Sequence, residues 1–274
     1  MHTGRLSAFA RRVLVPVFLL CAQVLSGTEI IAHRGASYDA PENTMPAIKL
    51  GWEQGADAVE IDVYLTKDGR IAVLHDDDTK RTTGVAGKVS ETNLAQLQTL
   101  DAGSWKDRRW AATKIPSLEE VLAAVPPGKR LFIEVKCGVE ITPELKRLVE
   151  ASGKKAQLVV IAFSYDVIRN VKKEMPYMPA YWLYGFREQD GRPTLSHEQL
   201  LERVKAAGAD GLDLYYKGPI TADFTGQLAA AGMKLYVYTV NSPEEAVRLA
   251  DLGVAGITTD RPAYLREALE RRSR

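Results

Sequence analysis

Two acidic residues in the first third of the chain have the spacing of a metal site. Glu60 and Asp62 alternate with valine and isoleucine in the segment AVEIDVYL, and this period-2 pattern predicts a β-strand with both carboxylates on one face. Two like charges about 6–7 Å apart on a strand face repel each other unless a cation lies between them. Carboxylate oxygens are hard ligands that suit Mg²⁺ or Ca²⁺. The pair therefore predicts a divalent metal site.

Two histidines of the same region stand where strands are expected to end. His33 and Arg34 follow a short apolar run and precede Gly35, and His75 ends the apolar run IAVLH after a turn at residues 68–69. Histidine changes its charge near neutral pH, so such a pair suits acid–base catalysis. A single histidine near a strand end is more often a hydrogen-bonded structural residue. Two of them, each next to a charged residue, favour the catalytic interpretation.

A third acidic residue shares a later strand face with a lysine. In LFIEVK, Glu134 and Lys136 are two residues apart, so their side chains point to the same side. If this strand lies near AVEIDVYL, three carboxylates meet Lys136 and Arg34 at one opening. The simpler alternative is that Glu134 and Lys136 only pair with each other, but buried ion pairs are weak stabilising devices. We therefore expect one charged site.

Composition excludes some functions and bounds the architecture. The chain has 274 residues, 46% of them hydrophobic and 26% charged, with a formal net charge of +1. It carries no basic run with interleaved aromatic residues, so neither nucleic acid nor an acidic surface is expected as a partner. The length and composition fit one globular α/β barrel.

Strands and helices alternate along most of the chain, and eight strands are what a TIM barrel needs. We predict strands near residues 29–32, 58–63, 131–135, 157–161, 179–184, 210–214, 234–239 and 255–259. The predicted helices are 44–54, 117–124, 142–152, 165–175, 196–207, 221–231, 243–252 and 262–272, with Asn43 as cap of the first and Ser117 with Glu120 as a capping box. Gly-Ala-Asp or Gly-Val-Ala tripeptides before three strands are typical of barrel units, in which a helix ends sharply before a strand.

The alternation stops between residues 77 and 116. This segment is too long for a plain connection and contains Trp105 and Trp110. We interpret it as an insertion over one mouth of the barrel, where it forms a lid or a wall of the substrate site. The alternative is a loop that only stabilises the fold.

The first residues have the pattern of a secretory leader. Three arginines precede the apolar run VLVPVFLLCAQVL, which is short for a membrane span and is followed by Ser26 and Gly27. We predict a signal peptide over residues 1–27, a mature domain over residues 28–274 and a secreted or periplasmic location; a buried first helix or an uncleaved anchor is the alternative. After cleavage we expect no stable membrane insertion. Cys137 would then be the only cysteine left, so no internal disulfide is expected.

Short motifs in a fixed order extend over nearly the whole chain after this leader: HRG at 33–35, PENT at 41–44, EIDVYLTKDG at 60–69, HD at 75–76, IEVK at 133–136, YTVN at 238–241 and GITTDRP at 256–262. Together they resemble the glycerophosphodiester phosphodiesterase family of the phospholipase C-like phosphodiesterase superfamily. The resemblance implies a TIM (β/α)₈ barrel with a small insertion between the second and third barrel strands. It also implies a metal-dependent enzyme that splits small-molecule glycerophosphodiesters into sn-glycerol 3-phosphate and an alcohol.

The resemblance assigns roles to residues already singled out. It assigns three carboxylates to one divalent metal ion, two cations to the phosphate and two histidines to proton transfer: Glu60, Asp62 and Glu134; Arg34 and Lys136; His33 and His75. Glu42 can face the same loop as Arg34 and orient it. Tyr238 stands where the family more often has tryptophan, and we expect it to contact the substrate. This departure leaves the alcohol portion of the substrate open.

The expected route is acid–base hydrolysis in which one histidine deprotonates a nucleophile and the other protonates the leaving alkoxide. The nucleophile is either water or the neighbouring glycerol hydroxyl, and attack by the hydroxyl would give a cyclic phosphate that water then opens. Two other functions remain open at this stage. One is a phosphodiesterase of the lysophospholipase D type with a wider apolar mouth, which Trp105 and Trp110 would supply. The other is a binding protein that captures glycerophosphodiesters without cleaving them, which predicts a missing catalytic group.

Overall fold

The structure, a computed structural model, describes Met1, residues 27–186 and residues 194–272. The predicted leader, apart from its ends, therefore lies outside the described residues. Within these ranges, no helix combines the length and the apolar character that crossing a lipid bilayer requires.

Eight parallel strands close into a barrel, as the sequence predicts. The strands are β1 Glu29–Ala32, β2 Ala58–Leu65, β3 Ile71–Val73, β4 Arg130–Val135, β5 Leu158–Ala162, β6 Ala180–Tyr184, β7 Gly211–Tyr215, β8 Lys234–Tyr238 and β9 Gly256–Thr259. The order around the barrel is β1, β9, β8, β7, β6, β5, β4 and β2, and pairing of β1 with β2 closes the ring. The remaining strand, β3, pairs antiparallel with the C-terminal end of β2 (Val63 opposite Val73) and lies outside the barrel.

Helices follow the barrel strands in the order expected of β/α units. They are α1 Met45–Glu53, α2 Lys80–Thr83, α3 Leu94–Leu97, α4 Leu118–Ala124, α5 Thr142–Ala151, α6 Tyr165–Glu174, α7 His197–Ala207, α8 Ala222–Ala230, α9 Pro243–Asp251 and α10 Pro262–Arg272. The predicted strands and barrel helices are thus confirmed, with ends shifted by one or two residues. The capping box of α4 also has the predicted form, since the Ser117 hydroxyl accepts from the Glu120 amide and the Glu120 carboxylate accepts from the Ser117 amide.

The core lies in two layers because strand side chains alternate between the inside and the outside of the barrel. Outward-facing residues of the strands pack against the helices and form the larger cluster. The smaller cluster fills the barrel interior with Ile31, Ala58, Phe132, Val159, Ile161, Tyr181, Leu183 and Tyr236. Above it, the inward positions of β2 and β4 carry acidic side chains, so the interior changes from apolar to charged toward the C-terminal ends of the strands.

The insertion between the second and third barrel strands has a small core of its own. Residues of β3, α3 and the connecting loops bury each other there: Ala72, Leu74, Val89, Leu94, Leu97, Ala102 and Ile115. Lys106 and Arg109 donate to the carbonyls of Ser37 and Asp39, which joins the insertion to the loop after β1. The insertion is therefore an ordered unit that borders one side of the barrel mouth.

Candidate active site

The three predicted metal ligands lie together at the C-terminal mouth of the barrel. Asp62 and Glu134 are paired neighbours on β2 and β4, and Glu60 lies one inward position below Asp62. Each of the three offers a carboxylate oxygen, and these oxygens all lie within 4.8 Å of one another. Glu60 and Asp62 are 1% exposed and Glu134 is 8% exposed, so water screens their mutual repulsion poorly.

The two predicted phosphate-binding cations stand beside this cluster. Lys136 Nζ donates to Glu134 Oε1 at 2.8 Å and lies 3.5 Å from Asp62 Oδ1. Arg34 Nε lies 3.3 Å from Asp62 Oδ2, and the Arg34 amide donates to Glu60 Oε2 at 2.9 Å. The pairing of Glu134 with Lys136 therefore exists, but within the larger charged site.

Burial and mutual repulsion hold protons on the acidic cluster when no metal is bound. Burial raises the pKa of Glu60 well above its ordinary value, and the charges of Asp62 and Glu134 raise it further. For Glu134, burial and then Asp62 raise the pKa to about 7, although Lys136 opposes the shift. A cation placed among the three carboxylates would reverse both shifts.

The donor set fits a divalent ion. Glu60 Oε1 and Asp62 Oδ1 are buried, and neither accepts a hydrogen bond from any residue in the described ranges. A buried carboxylate oxygen without a partner is costly, and hard oxygen ligands are what Mg²⁺ and Ca²⁺ require. The cluster therefore has the donor set that a divalent metal ion needs, as the family resemblance implies.

His33 lies at the end of β1 and is held by the loop after β9. Its Nδ1 is 2.6 Å from Asp260 Oδ1, and Asp260 also accepts from Ser37 and from the Asn241 amide. Although burial opposes the shift, these hydrogen bonds and His33 lower the pKa of Asp260, which stays ionised. Asp260 therefore orients the ring and directs the other ring nitrogen, Nε2, away from this carboxylate.

His75 lies after β3 and has a similar arrangement. Its Nδ1 is 2.7 Å from Asp76 Oδ1, and its Nε2 is 3.3 Å from Lys136 Nζ. Burial lowers the pKa of His75, and the charges of Arg34 and Lys136 lower it further against the opposite effect of Asp62. His75 is therefore held mainly in its neutral form at pH 7.

Glu42 contacts Arg34 as expected, and it also contacts the insertion. Arg34 Nη1 donates to Glu42 Oε1 at 2.8 Å. The same carboxylate accepts two further hydrogen bonds from Arg81 of α2, at 2.9 and 2.7 Å. Arg81 Nε donates to Asp76 Oδ2 at 2.6 Å, so a single side chain links the partners of Arg34 and His75.

The prediction that Asn43 caps α1 is wrong. The Asn43 side chain turns toward the acidic cluster, where Nδ2 donates to Asp62 Oδ2 at 2.8 Å and Oδ1 accepts from the Asp62 amide at 3.1 Å. Thr44 occupies the N-cap position, and its hydroxyl donates to the carbonyl of Pro41. The tertiary contact with a buried carboxylate prevails over the local capping preference of asparagine.

Aromatic side chains stand at the C-terminal ends of β5, β7 and β8. Tyr238 lies at the end of β8 and packs edge-on against Phe163, with ring centroids 5.7 Å apart, and against Tyr215 at 6.1 Å. Phe163 is 47% exposed and its ring lies 5.8 Å from Lys136 Nζ. Phe163 thus lies between Tyr238 and the charged cluster, and a contact of Tyr238 with the substrate stays a prediction.

Four residues near this site had no predicted role: Asn43 beyond its cap, Arg81, Asp213 and Asp260. Asp213 is 1% exposed on β7, and its Oδ1 accepts no hydrogen bond from the residues described. Burial, and to a smaller extent Glu134, raise its pKa well above the ordinary value, which favours the protonated carboxyl group in the folded protein. Asn43 and Asp260 lie within the PENT and GITTDRP motifs, whereas no sequence signal distinguished Arg81 or Asp213.

The fold and the site together define a class of protein: a TIM barrel whose C-terminal mouth carries two histidines, two cations and an acidic cluster with the donor set of a metal site. The model of the glycerophosphoryl diester phosphodiesterase family matches residues 33–264. A glycerophosphodiester phosphodiesterase of Caldanaerobacter subterraneus subsp. tengcongensis is 35% identical, over 87% of this chain and 96% of that protein. The chain therefore belongs to the glycerophosphoryl diester phosphodiesterase family and is an enzyme of that family.

Two further comparisons are informative about the site. A solved Oleispira antarctica phosphodiesterase, in complex with the product sn-glycerol-3-phosphate, has a TM-score of 0.80 at 28% identity and covers 89% of this chain and 97% of its own. A human lysophospholipase D is 26% identical over 87% of this chain and 85% of that protein.

Proposed function

We propose that the protein hydrolyses glycerophosphodiesters to sn-glycerol 3-phosphate and an alcohol by metal-dependent acid–base catalysis. The observation that carries this proposal is the convergence of three carboxylates within 4.8 Å, with Arg34 and Lys136 beside them and His75 against Lys136. His33 directly precedes Arg34 at the end of β1. The Oleispira antarctica structure, whose product is sn-glycerol-3-phosphate, supports the choice of product.

The charged groups have complementary tasks toward an anionic phosphodiester. Glu60, Asp62 and Glu134 would hold one divalent ion, Mg²⁺ or Ca²⁺, which supplies positive charge to the phosphate oxygens and stabilises the charge that develops as the ester bond breaks. Arg34 and Lys136 bind the remaining phosphate oxygens as fixed cations. Arg34 Nε is buried and makes no hydrogen bond to the described part of the chain, so it is available as a donor.

The two histidines divide the proton transfers. Because His75 is held mainly neutral and Asp76 accepts from its Nδ1, its Nε2 carries a lone pair and takes the proton of the attacking group. His33, held by Asp260, then donates a proton to the leaving alkoxide. The attacking group is water or the neighbouring glycerol hydroxyl. In the second case a cyclic phosphate forms and is opened by water in a second step with the roles reversed.

A substrate panel tests the reaction. Purified protein is incubated with several glycerophosphodiesters in Mg²⁺, in Ca²⁺ and in excess chelator, and glycerol 3-phosphate is measured. We expect glycerol 3-phosphate with at least one metal and none in chelator, with recovery when metal is restored. Full activity in chelator would refute the metal requirement, and failure to release glycerol 3-phosphate from any diester would refute the reaction.

Alanine variants test the proton transfers. Replacement of His33 or His75 should lower kcat by at least about 10²-fold, while metal affinity changes little. His197→Gln is the matched control, because the His197 ring stacks on Phe224 in the helix layer with ring centroids 3.9 Å apart. If both alanine variants turn over as fast as this control, neither histidine transfers a proton.

A second candidate is hydrolysis of lysophospholipids by the same groups. The exposed Phe163 beside Tyr238 gives the mouth an apolar side, and one relative is a human lysophospholipase D. Comparison of glycerophosphocholine with lysophosphatidylcholine separates the two candidates. A kcat/KM that is higher for the lysophospholipid would favour the second. A non-catalytic binding protein is disfavoured, because every predicted catalytic position carries its functional side chain.

We also propose that residues 1–27 direct export and are removed, since arginines precede a short apolar run and small residues follow it. Expression in a bacterial host followed by N-terminal sequencing of the periplasmic fraction tests this. A mature protein that begins near residue 27 or 28 supports export, whereas an intact N-terminus in the cytoplasm contradicts it.

A further inference from the structure

Arg81 is a residue of the insertion that no step of the proposed mechanism uses. It lies on α2, and its side chain is 43% exposed. All three nitrogens of its guanidinium are engaged with carboxylates of the site rather than of the insertion. Nε donates to Asp76 Oδ2 at 2.6 Å, and Nη1 and Nη2 donate to Glu42 at 2.9 and 2.7 Å.

Each of these carboxylates holds a group that the reaction requires. The other oxygen of Asp76 accepts from His75 Nδ1 at 2.7 Å, which fixes the ring and its tautomer. Glu42 Oε1 also accepts from Arg34 Nη1 at 2.8 Å, which fixes the phosphate-binding guanidinium. Arg81 therefore connects a proton-transfer group to a phosphate-binding group through one carboxylate on each side.

The backbone that carries Arg81 is itself held by a compact set of hydrogen bonds. Asp78 accepts from the amides of Lys80 and Gly87, and the Thr79 hydroxyl donates to the Val85 carbonyl at 2.6 Å. Thr79 is fully buried, so this turn is anchored in the protein. The backbone that carries the guanidinium is thus fixed, although one edge of the guanidinium faces solvent.

We propose that Arg81 is a positioning residue for the reaction, which holds Asp76 with His75 on one side and Glu42 with Arg34 on the other at the spacing that the substrate phosphate requires. This inference rests on the proposed function, since it assigns Arg81 a task only if His75 and Arg34 act on the substrate. It gives the insertion a direct part in catalysis.

The geometry requires arginine at this position. The planar fork of the guanidinium makes two parallel hydrogen bonds to Glu42 while Nε faces Asp76. A lysine ammonium is a single point charge on a flexible stem and cannot reproduce both contacts together. Without any cation, Asp76 and Glu42 would keep their negative charges but lose the group that joins them.

The test uses Arg81→Ala and Arg81→Lys in the metal-loaded, full-length protein, with glycerophosphocholine as substrate. A misplacement of about 1 Å in catalytic groups costs on the order of 10²-fold in rate, so we expect kcat/KM of Arg81→Ala to fall by about 10- to 100-fold. Both kcat and KM should change, because His75 and Arg34 each lose support. Arg81→Lys should recover only part of the loss. Millimolar guanidinium should partly restore Arg81→Ala, since the vacated position faces solvent.

The matched control is Arg109→Ala, which removes another arginine of the insertion that contacts the loop after β1 through a backbone carbonyl. The inference is overturned if Arg81→Ala and Arg109→Ala have equal kinetics, or if the loss follows a lower melting temperature and guanidinium restores nothing. If Arg81→Ala does not fold, Arg81→Lys decides: activity equal to that of the wild type overturns the inference. His75→Ala and Glu60→Gln are measured in parallel, and activity in those variants would refute the proposed function instead.

Discussion

The two ends of the barrel hold charged side chains in different ways. At the N-terminal end, Arg130 Nη1 donates to both oxygens of Glu29, at 2.8 and 2.7 Å, and the Tyr236 hydroxyl lies 3.3 Å from each partner. One acid meets one base there. At the C-terminal end, three acids meet two cations, and two of the carboxylate oxygens make no hydrogen bond within the described ranges.

The N-terminal end contains two further acid–base pairs with a shared structural task. Asp57 accepts from the amide of Ile30 and from Arg266, and Asp210 accepts from the amide of Ala180 and from Lys172. Each aspartate is the last residue of a Gly-Ala-Asp tripeptide and joins the start of a strand to a cation from an outer helix.

The contrast separates stability from function. Satisfied pairs at the N-terminal end fix the strands, whereas the C-terminal end has more acidic groups than cations to pair with them. In TIM barrels the C-terminal face carries the active site. The C-terminal end is therefore the one that can bind a ligand, and the proposed divalent cation and phosphodiester would supply the missing partners.

The largest expected effect is the difference in activity between two single variants, each of which removes one acidic group from one end of the barrel. Glu60→Gln should lower kcat/KM by at least about 10³-fold, because the metal supplies several kcal/mol of transition-state stabilisation and each 1.36 kcal/mol is tenfold in rate. Glu29→Gln should stay within about threefold of the wild type. Steady-state assays of both variants check this. Comparable losses of kcat/KM in the two variants would contradict a functional difference between the ends.

The next effect concerns the pH dependence of stability. The pKa of Glu134 is raised to about 7 in the metal-free protein, above its unfolded value. Its contribution to stability is therefore complete below the unfolded pKa and is lost as the pH rises through about 7. In chelator we expect the melting temperature to fall from pH 5 to pH 8, and we expect the increase produced by saturating Mg²⁺ to grow over the same interval. An increase independent of pH would contradict the protonation of the cluster.

A change at the N-terminal end should affect stability without affecting activity. Arg130→Met removes the cation that satisfies Glu29, and loss of a charged hydrogen-bonded pair costs about 2 kcal/mol. For a protein of this size that lowers the melting temperature by about 5 °C. Calorimetry and a parallel assay measure the two quantities. A loss of kcat/KM in the folded variant would show that the two ends are not separable.

The smallest effect tests Asp213, a buried acid without a neighbouring cation among the interactions described. Its pKa is raised by burial and then by Glu134, so it holds a proton in the folded state that the unfolded state releases above about pH 4. Stability is therefore lost as the pH rises. In saturating Mg²⁺, Asp213→Asn should become more stable relative to the wild type by about 1.4 kcal/mol between pH 5 and pH 6. The free energy of unfolding of both proteins is measured by denaturation at the two pH values. An equal difference between variant and wild type at both would refute a protonated Asp213.

The barrel was predictable because its signals are local and repeated. Alternating strand patterns and helix caps recur along the chain, and Gly-Ala-Asp or Gly-Val-Ala tripeptides precede three strands. The period of two placed Glu60 with Asp62 and Glu134 with Lys136. The mistake at Asn43 has a physical reason: a capping rule uses neighbours in the sequence, whereas its partner, Asp62, lies on another element.

Long-range partners were not predictable in the same way. Asp260 reaches His33 only because closure of the barrel brings β9 beside β1. Arg81 reaches Glu42 and Asp76 because the insertion folds back over the mouth. Arg81 has no local pattern that distinguishes it from an ordinary surface charge, and the motif that contains Asp260 does not indicate that its partner is His33. The groups that orient the site therefore emerged only from the structure.

Metal binding measured directly by titration calorimetry is the most direct test of the difference between the two ends. For the wild type and Glu29→Gln, we expect one Mg²⁺ or Ca²⁺ ion per chain with the same affinity, and for Glu60→Gln no measurable binding at the same site. Binding by Glu60→Gln as tight as that of the wild type would contradict a metal site among Glu60, Asp62 and Glu134.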